Sequence, residues 1–164
     1  MEITSGAAIV NGTNLYYERA GHGRTVVLIH GFSLDCPMWD DQFELLAEHC
    51  HVLRYDLRGF GRSASACADP YAPIRDLEVL LELLQIESTT VVGLSFDGAI
   101  ALDFALALPS MTNRLSMDHV TVLGENLATL RVACGHTHSL PIRSLVPEPG
   151  LRLPTILYLG PLKS

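Results

Sequence analysis

Residues 91–98, Val-Val-Gly-Leu-Ser-Phe-Asp-Gly, run from an apolar β-branched pair into a serine with a glycine on either side. The residues that follow, Gly98-Ala99-Ile100-Ala101-Leu102, continue as a helix pattern. A serine on a tight strand-to-helix corner exposes its hydroxyl above the sheet, where it can attack an acyl carbon. The hydroxyl is inert at its free pKa, so Ser95 would need a base beside it. Two departures from a simple nucleophile corner stand out. The glycine expected two residues past the serine is displaced by one, and Asp97 takes its place. Serine also favours the N-cap of a helix, a purely structural use of the same position.

The elements that must carry this corner alternate along the chain. Asn11-Gly12 is a strong turn dipeptide and predicts a hairpin between "AAIV" and "TNLYYERA". "TVVLIHG" is a continuous apolar run, as expected of a strand covered on both faces of a parallel sheet. Helices are predicted over "PMWDDQFELLAEHC", "APIRDLEVLLELLQI" and "FDGAIALDFALAL", with Pro109 closing the last. Strands are predicted near 25–29, 51–55 and 89–93, as parallel neighbours. The alternation implies an α/β fold, a doubly wound and mostly parallel sheet. Such sheets bind ligands beyond the carboxyl ends of their strands. His30-Gly31-Phe32, the stretch "YDLRGFGRS" (55–63) and the Ser95 corner all fall there, so His30, Asp56 and Ser95 should share one edge.

An HGF-type loop, a D-x-R-G-x-G-x-S loop and a serine elbow, in this order, resemble the α/β-hydrolase superfamily, and within it the esterase, enol-lactonase and haloperoxidase-like group. The resemblance covers about residues 10–109. It implies that Ser95 is the nucleophile and that the backbone N–H groups of Phe32 and Phe96 form the oxyanion hole. Two preorganised donors of this kind stabilise a tetrahedral intermediate, and the dipole at a helix N-terminus adds to the effect. It also implies that His30 braces the oxyanion loop rather than acting as the base. Asp56 and Arg58 likewise read as structural, with Arg58, Arg62 and Ser63 fixing the glycine-rich loop below the site. Trp39 is either a pocket wall or a core aromatic.

Beyond Pro109 the chain departs from that pattern. "DHVTVLGEN" is the candidate for the strand after the elbow helix. "LRLPTILYLG" resembles the family's later strand, whose end carries the catalytic acid, yet Pro161-Leu162-Lys163-Ser164 follow it with neither acid nor histidine. The expectation is a hydrolase fold incomplete or altered at its C-terminus: a single domain over 1–164, matched over 1–109 and divergent over 110–164, with no clear cap. A compact alternative supplies Glu125 as acid and His136, in a Gly-His pair, as base, in the order serine, acid, histidine that this fold uses. The competing reading of His136 and His138 is as exposed loop residues. No third ligand joins them convincingly, so no metal site is expected.

Composition narrows the function classes. With 48% hydrophobic and 18% charged residues the chain is globular rather than disordered. A net charge of −7 without a basic cluster argues against nucleic acid and anionic membrane surfaces as partners. No apolar run reaches the roughly 20 residues that span a bilayer, and the N-terminus lacks a signal-peptide pattern. Cys36, Cys50, Cys67 and Cys134 are scattered without metal or redox spacing, as in a cytoplasmic protein with reduced thiols. The expected activity is a serine hydrolase without cofactors, cleaving a small-molecule ester or lactone. The alternative from another class is a hydrolase-derived protein that binds a small ligand without turnover.

Overall fold

The computed structural model describes residues 2–65, 70–94 and 98–118, together with strand segments at 138–139 and 157–159. Asn11 and Gly12 both hold positive φ, 45° and 76°, as a two-residue hairpin turn requires. The chain therefore folds back, and β1 (Thr4–Val10) pairs antiparallel with β2 (Thr13–Ala20). Next come β3 (Thr25–Ile29), β4 (His51–Tyr55), β5 (Thr89–Leu94) and β6 (Thr112–Asp118). Two short strands follow, β7 (His138–Ser139) and β8 (Leu157–Leu159). The described strands form one sheet in the order β1-β2-β4-β3-β5-β6-β8-β7. Its centre, from β4 through β3 and β5 to β6, is parallel, as expected for the three central strands.

Alternation along β3 explains how the sheet is covered on both faces. Val27 and Ile29 join Leu53, Val91 and Leu115 in one core. That core is closed by α2 (Pro73–Leu83) and α3 (Gly98–Ala107), through Leu77, Leu81, Leu102 and Phe104. Val26 and Leu28, one residue out of phase, join Val52 and Val92 in a second core. Here α1 (Asp40–Ala47) supplies Phe43 and Leu46, and the 3₁₀ turn Cys36–Trp39 ahead of it supplies Trp39. Trp39 is thus a core aromatic. Arg54 crosses from the sheet to α1: it pairs with Glu18 at 2.5 Å and Asp40 at 2.6 Å, and lies over the Phe43 ring.

One expectation for the later chain needs correction. The strand after α3 is not centred on "DHVTVLGEN" but begins at Thr112. After α3 ends at Ala107, a 3₁₀ turn at Pro109–Met111 delivers the chain straight to β5, and the register Val91↔Leu115 follows. The segment Thr112–Asp118 is polar for a parallel strand, which hides it from a hydrophobicity pattern. Its buried Thr112 is satisfied by donating to Leu108 O at 3.0 Å. Within "LRLPTILYLG", β8 pairs antiparallel with β6, Leu115 opposite Leu159.

The loop after β4 is built around one carboxylate. Asp56 accepts the Cys36 N–H at 2.7 Å and the Arg62 N–H at 2.8 Å, while Ser63 Oγ donates to its carbonyl at 2.6 Å. Tyr16 N–H donates to Ser63 Oγ at 2.9 Å, tying the loop to β2. Gly61 makes the wrap possible: its φ is +51°, and a Cβ there would clash with the Asp56 carboxylate and lie 2.9 Å from Asp35 Cβ. Gly61→Ala is therefore expected to cost about 2–4 kcal/mol, from left-handed backbone strain plus overpacking. Urea unfolding measures it, and a loss below about 0.5 kcal/mol would show that the loop has room to spare.

Candidate active site

His30 directly follows β3 and is fully buried. The Leu57 N–H donates to its Nε2 at 2.9 Å, so that nitrogen carries no proton. The ring proton then sits on Nδ1, which donates to Gly31 O at 3.0 Å. Both ring nitrogens are engaged with backbone, and the imidazole braces its own loop to the loop after β4. Gly31 O also accepts the Leu34 N–H at 3.0 Å, closing a turn in which Ser33 holds a left-handed φ of 62°. A Cβ on Gly31 would lie 3.6 Å from Leu94 Cδ2, so this turn rests directly on the end of β5. Such strained, over-determined turns recur where a backbone must be held for function.

Phe32 projects from this turn and is 63% exposed. Its ring meets Phe60 edge-on with centroids 5.6 Å apart, and Phe60 in turn meets His30 at 5.7 Å. Beside them lies a cavity of about 310 Å³, between the β4 loop, the start of α2 and the start of α3. Phe32, Phe60, Tyr71, Ile74, Ile100 and Asp103 are among its walls. Arg58 and Asp76 form part of its lining as a buried, two-pronged ion pair, both contacts 2.8 Å. The Tyr71 ring covers the Arg58 guanidinium at 4.7 Å. Burial raises the Asp103 carboxyl above its ordinary value. A larger hollow of about 580 Å³, lined by Arg19, His22, Glu48 and His51, opens at the amino ends of β3 and β4. It lies at the edge opposite His30 and Asp56, and parallel sheets carry their chemistry at the carboxyl edge.

His30, Asp56 and the end of β5 share one edge of the sheet, and Phe32 stands in the turn above Leu94. Ser95, Phe96 and Asp97 of the corner, and Glu125 and His136, lie outside the described residues. Arg62 and Ser63 hold the Asp56 loop, whereas Arg58 reaches away from it to Asp76 on α2. Sequence reasoning missed Asp76, Tyr71 and Asp103. The last had a visible signal: Asp103 is the lone charge in the otherwise apolar "GAIALDFALA" of α3. Among the described residues no helix is long and apolar enough to cross a membrane.

Comparisons with known proteins agree with this architecture. A model of the Alpha/beta hydrolase family matches residues 26–161. A soluble epoxide hydrolase from a Corynebacterium species is 32% identical over 116 residues, which cover 70% of this chain and 41% of that protein. A pimeloyl-[acyl-carrier protein] methyl ester esterase from Vibrio campbellii is 34% identical over 103 residues, 63% of this chain and 39% of the relative. The crystal structure of the enol-lactonase from Burkholderia xenovorans superposes with a TM-score of 0.63 at 32% identity, covering 67% of this chain and 45% of that one. The chain thus spans less than half the length of these relatives.

Replacing His30 by alanine would leave the buried Leu57 N–H without its acceptor and open a cavity under the turn. The expected cost is about 2–4 kcal/mol, read from urea unfolding. A His30→Ala protein as stable as the parent would mean that the imidazole is not the brace.

Proposed function

Since this chain belongs to the Alpha/beta hydrolase family, we propose that it hydrolyses small carboxylic esters or lactones through an acyl-serine intermediate on Ser95. The observation that carries this reading is the His30–Leu34 turn, locked through Leu57 and seated on Leu94, the residue before Ser95. A backbone held so firmly at that place suits an oxyanion hole, whose donors must be set before charge develops. The names of an esterase and an enol-lactonase among the relatives favour the same chemistry.

In the proposed cycle His136, oriented by Glu125, takes the proton of the Ser95 hydroxyl as its oxygen attacks the carbonyl carbon. The N–H groups of Phe32 and Phe96 hold the oxyanion. Collapse expels the alcohol, which leaves with the proton from His136. Water, deprotonated by the same histidine, then attacks the acyl-serine and releases the acid. The substrate is a small molecule, and no step calls for a cofactor.

Hydrolysis of short p-nitrophenyl esters and labelling by a fluorophosphonate test this cycle. Ser95→Ala should remove both, since loss of the nucleophile costs about 10⁶-fold in kcat in related triads. His136→Ala should match it. Full activity of the His136 variant would remove that histidine from the mechanism. A folded wild-type chain that neither turns over nor labels would favour ligand binding without catalysis.

Asp97 is expected to hold the rate down. A carboxylate about 7 Å from an oxyanion opposes it by about 2 kcal/mol at an effective dielectric near 20. Asp97→Gly should therefore raise kcat or the labelling rate by about thirtyfold. It should also lose about 0.3–1 kcal/mol of favourable interaction with the helix dipole. An unchanged or lower rate in the folded variant would show that the aspartate does not oppose the reaction.

A further inference from the structure

The buried amide of Gly31 rests on a sulfur atom. Its N–H donates to Met38 Sδ at 3.2 Å. The Gly31 carbonyl is anchored twice by ordinary donors, His30 Nδ1 and the Leu34 N–H, each at 3.0 Å. A thioether is a weak acceptor, yet a buried N–H is costly to leave unpaired. The backbone that carries the sulfur is itself fixed. The Met38 N–H donates to Asp35 O at 3.1 Å. Cys36, two residues earlier, is tied to Asp56 at 2.7 Å and to Arg54 at 3.0 Å. Trp39, directly after Met38, is buried in the core. Met38 packs against that core but is only partly buried, so a small reagent can reach it from solvent.

Hydrogen peroxide oxidises a thioether by two electrons. A sulfur lone pair bonds one peroxide oxygen, the O–O bond breaks, and the other oxygen leaves as water. The resulting sulfoxide is polar and chiral where the thioether was apolar. Its sulfur carries positive charge, so the atom that received the Gly31 N–H now repels it. Where the new oxygen takes the N–H instead, it sits about 2.9 Å from the nitrogen. The sulfur behind it must then withdraw beyond its present 3.2 Å. Either way the turn loses its present seat. We propose that Met38 is an oxidation site for hydrogen peroxide, and that its sulfoxide unseats the Gly31 turn. Under the ester-hydrolase reading, on which this consequence alone rests, the Phe32 N–H leaves the oxyanion hole and turnover falls. Methionine sulfoxide reductases remove the oxygen again, which makes the change reversible. The neighbouring thiols are poor competitors for peroxide. Burial raises both Cys36 and Cys50, and the reactive form of cysteine is the thiolate.

The test treats the full chain with hydrogen peroxide. It follows the mass of the Met38 peptide, Tm and the hydrolysis of a short p-nitrophenyl ester on the same samples. Gain of one oxygen at Met38 should lower Tm by about 3–10 °C, as for one unpaired buried amide in a chain of this size. It should lower kcat at least tenfold with KM little changed, because an oxyanion donor acts in the transition state. Dithiothreitol, which reduces disulfides, should restore neither, and methionine sulfoxide reductases should restore both. Met38→Leu should show no fall in Tm on treatment, while Met111→Leu, which keeps Met38, should respond as the parent does. Should Met38→Leu fail to fold, the fall of Tm with the fraction of Met38 oxidised in the parent decides. The proposal is overturned by a folded parent whose Met38 stays unoxidised, by oxidation of Met38 with Tm unchanged, or by an equal fall in Met38→Leu. A lower Tm with kcat unchanged keeps the oxidation site and removes its effect on the oxyanion hole. A parent that hydrolyses no ester sinks the esterase reading, and the Tm response still decides the role of Met38.

Discussion

Asp56 and Leu57, consecutive residues where β4 ends, carry the hydrogen bonds on which the carboxyl edge of the sheet depends. The Leu57 N–H fixes the His30 ring and, through it, the turn that carries Phe32. The Asp56 carboxylate holds the approach to α1 at Cys36 and the glycine loop at Arg62. Two adjacent residues thus set three loops relative to one another. Among their described residues, the 3₁₀ turn at Cys36–Trp39 is the regular structure these segments contain. Buried backbone donors are costly to leave unpaired, so each loop has one conformation in which the others are also satisfied.

The Arg58–Asp76 pair extends this coupling away from the reaction edge. Arg58 donates to Asn11 O at 3.2 Å, and Asn11 Nδ2 donates to Asp76 at 2.9 Å. The first hairpin, the β4 loop and the first turn of α2 therefore meet at one buried ion pair. Such a pair adds little net stability compared with an apolar replacement, but removing one partner typically costs about 3–5 kcal/mol. Its contribution is positional. It fixes where α2 begins, and so where Tyr71 and Ile74 stand beside the cavity.

Much of this was legible in the residues. Unbroken apolar runs such as "TVVLI" gave the buried parallel strands, and Asn11-Gly12 gave the hairpin, because in both cases local chemistry and tertiary setting agree. His30 as a brace was what the family resemblance implied, and its hydrogen bonds to Leu57 and Gly31 agree with it. The strand at Thr112–Asp118 was hidden because its position is imposed by the length of α3 and by pairing with β5, not by its own polar sequence. The role of Arg58 could not be separated from that of Arg62 by sequence, since both sit in one loop and only the fold brings Asp76 to the first of them. Asp103 drew no reading of its own from the sequence. It lines a cavity that is a property of three elements together.

The strand order has a consequence for how the chain comes to be. Thr25 pairs with Thr89 at the middle of the sheet, 64 residues later in the sequence. Until β5 has been synthesised, one edge of the fully buried β3 has no partner. At about 5–20 residues per second on the ribosome, that interval lasts for seconds. Non-local parallel pairing is also intrinsically slow, so the nascent chain carries an open, sticky strand edge for that time. The strand that anchors the finished sheet is the one most in need of shielding during translation, and its exposure to aggregation is fixed by topology rather than by the stability of the folded protein.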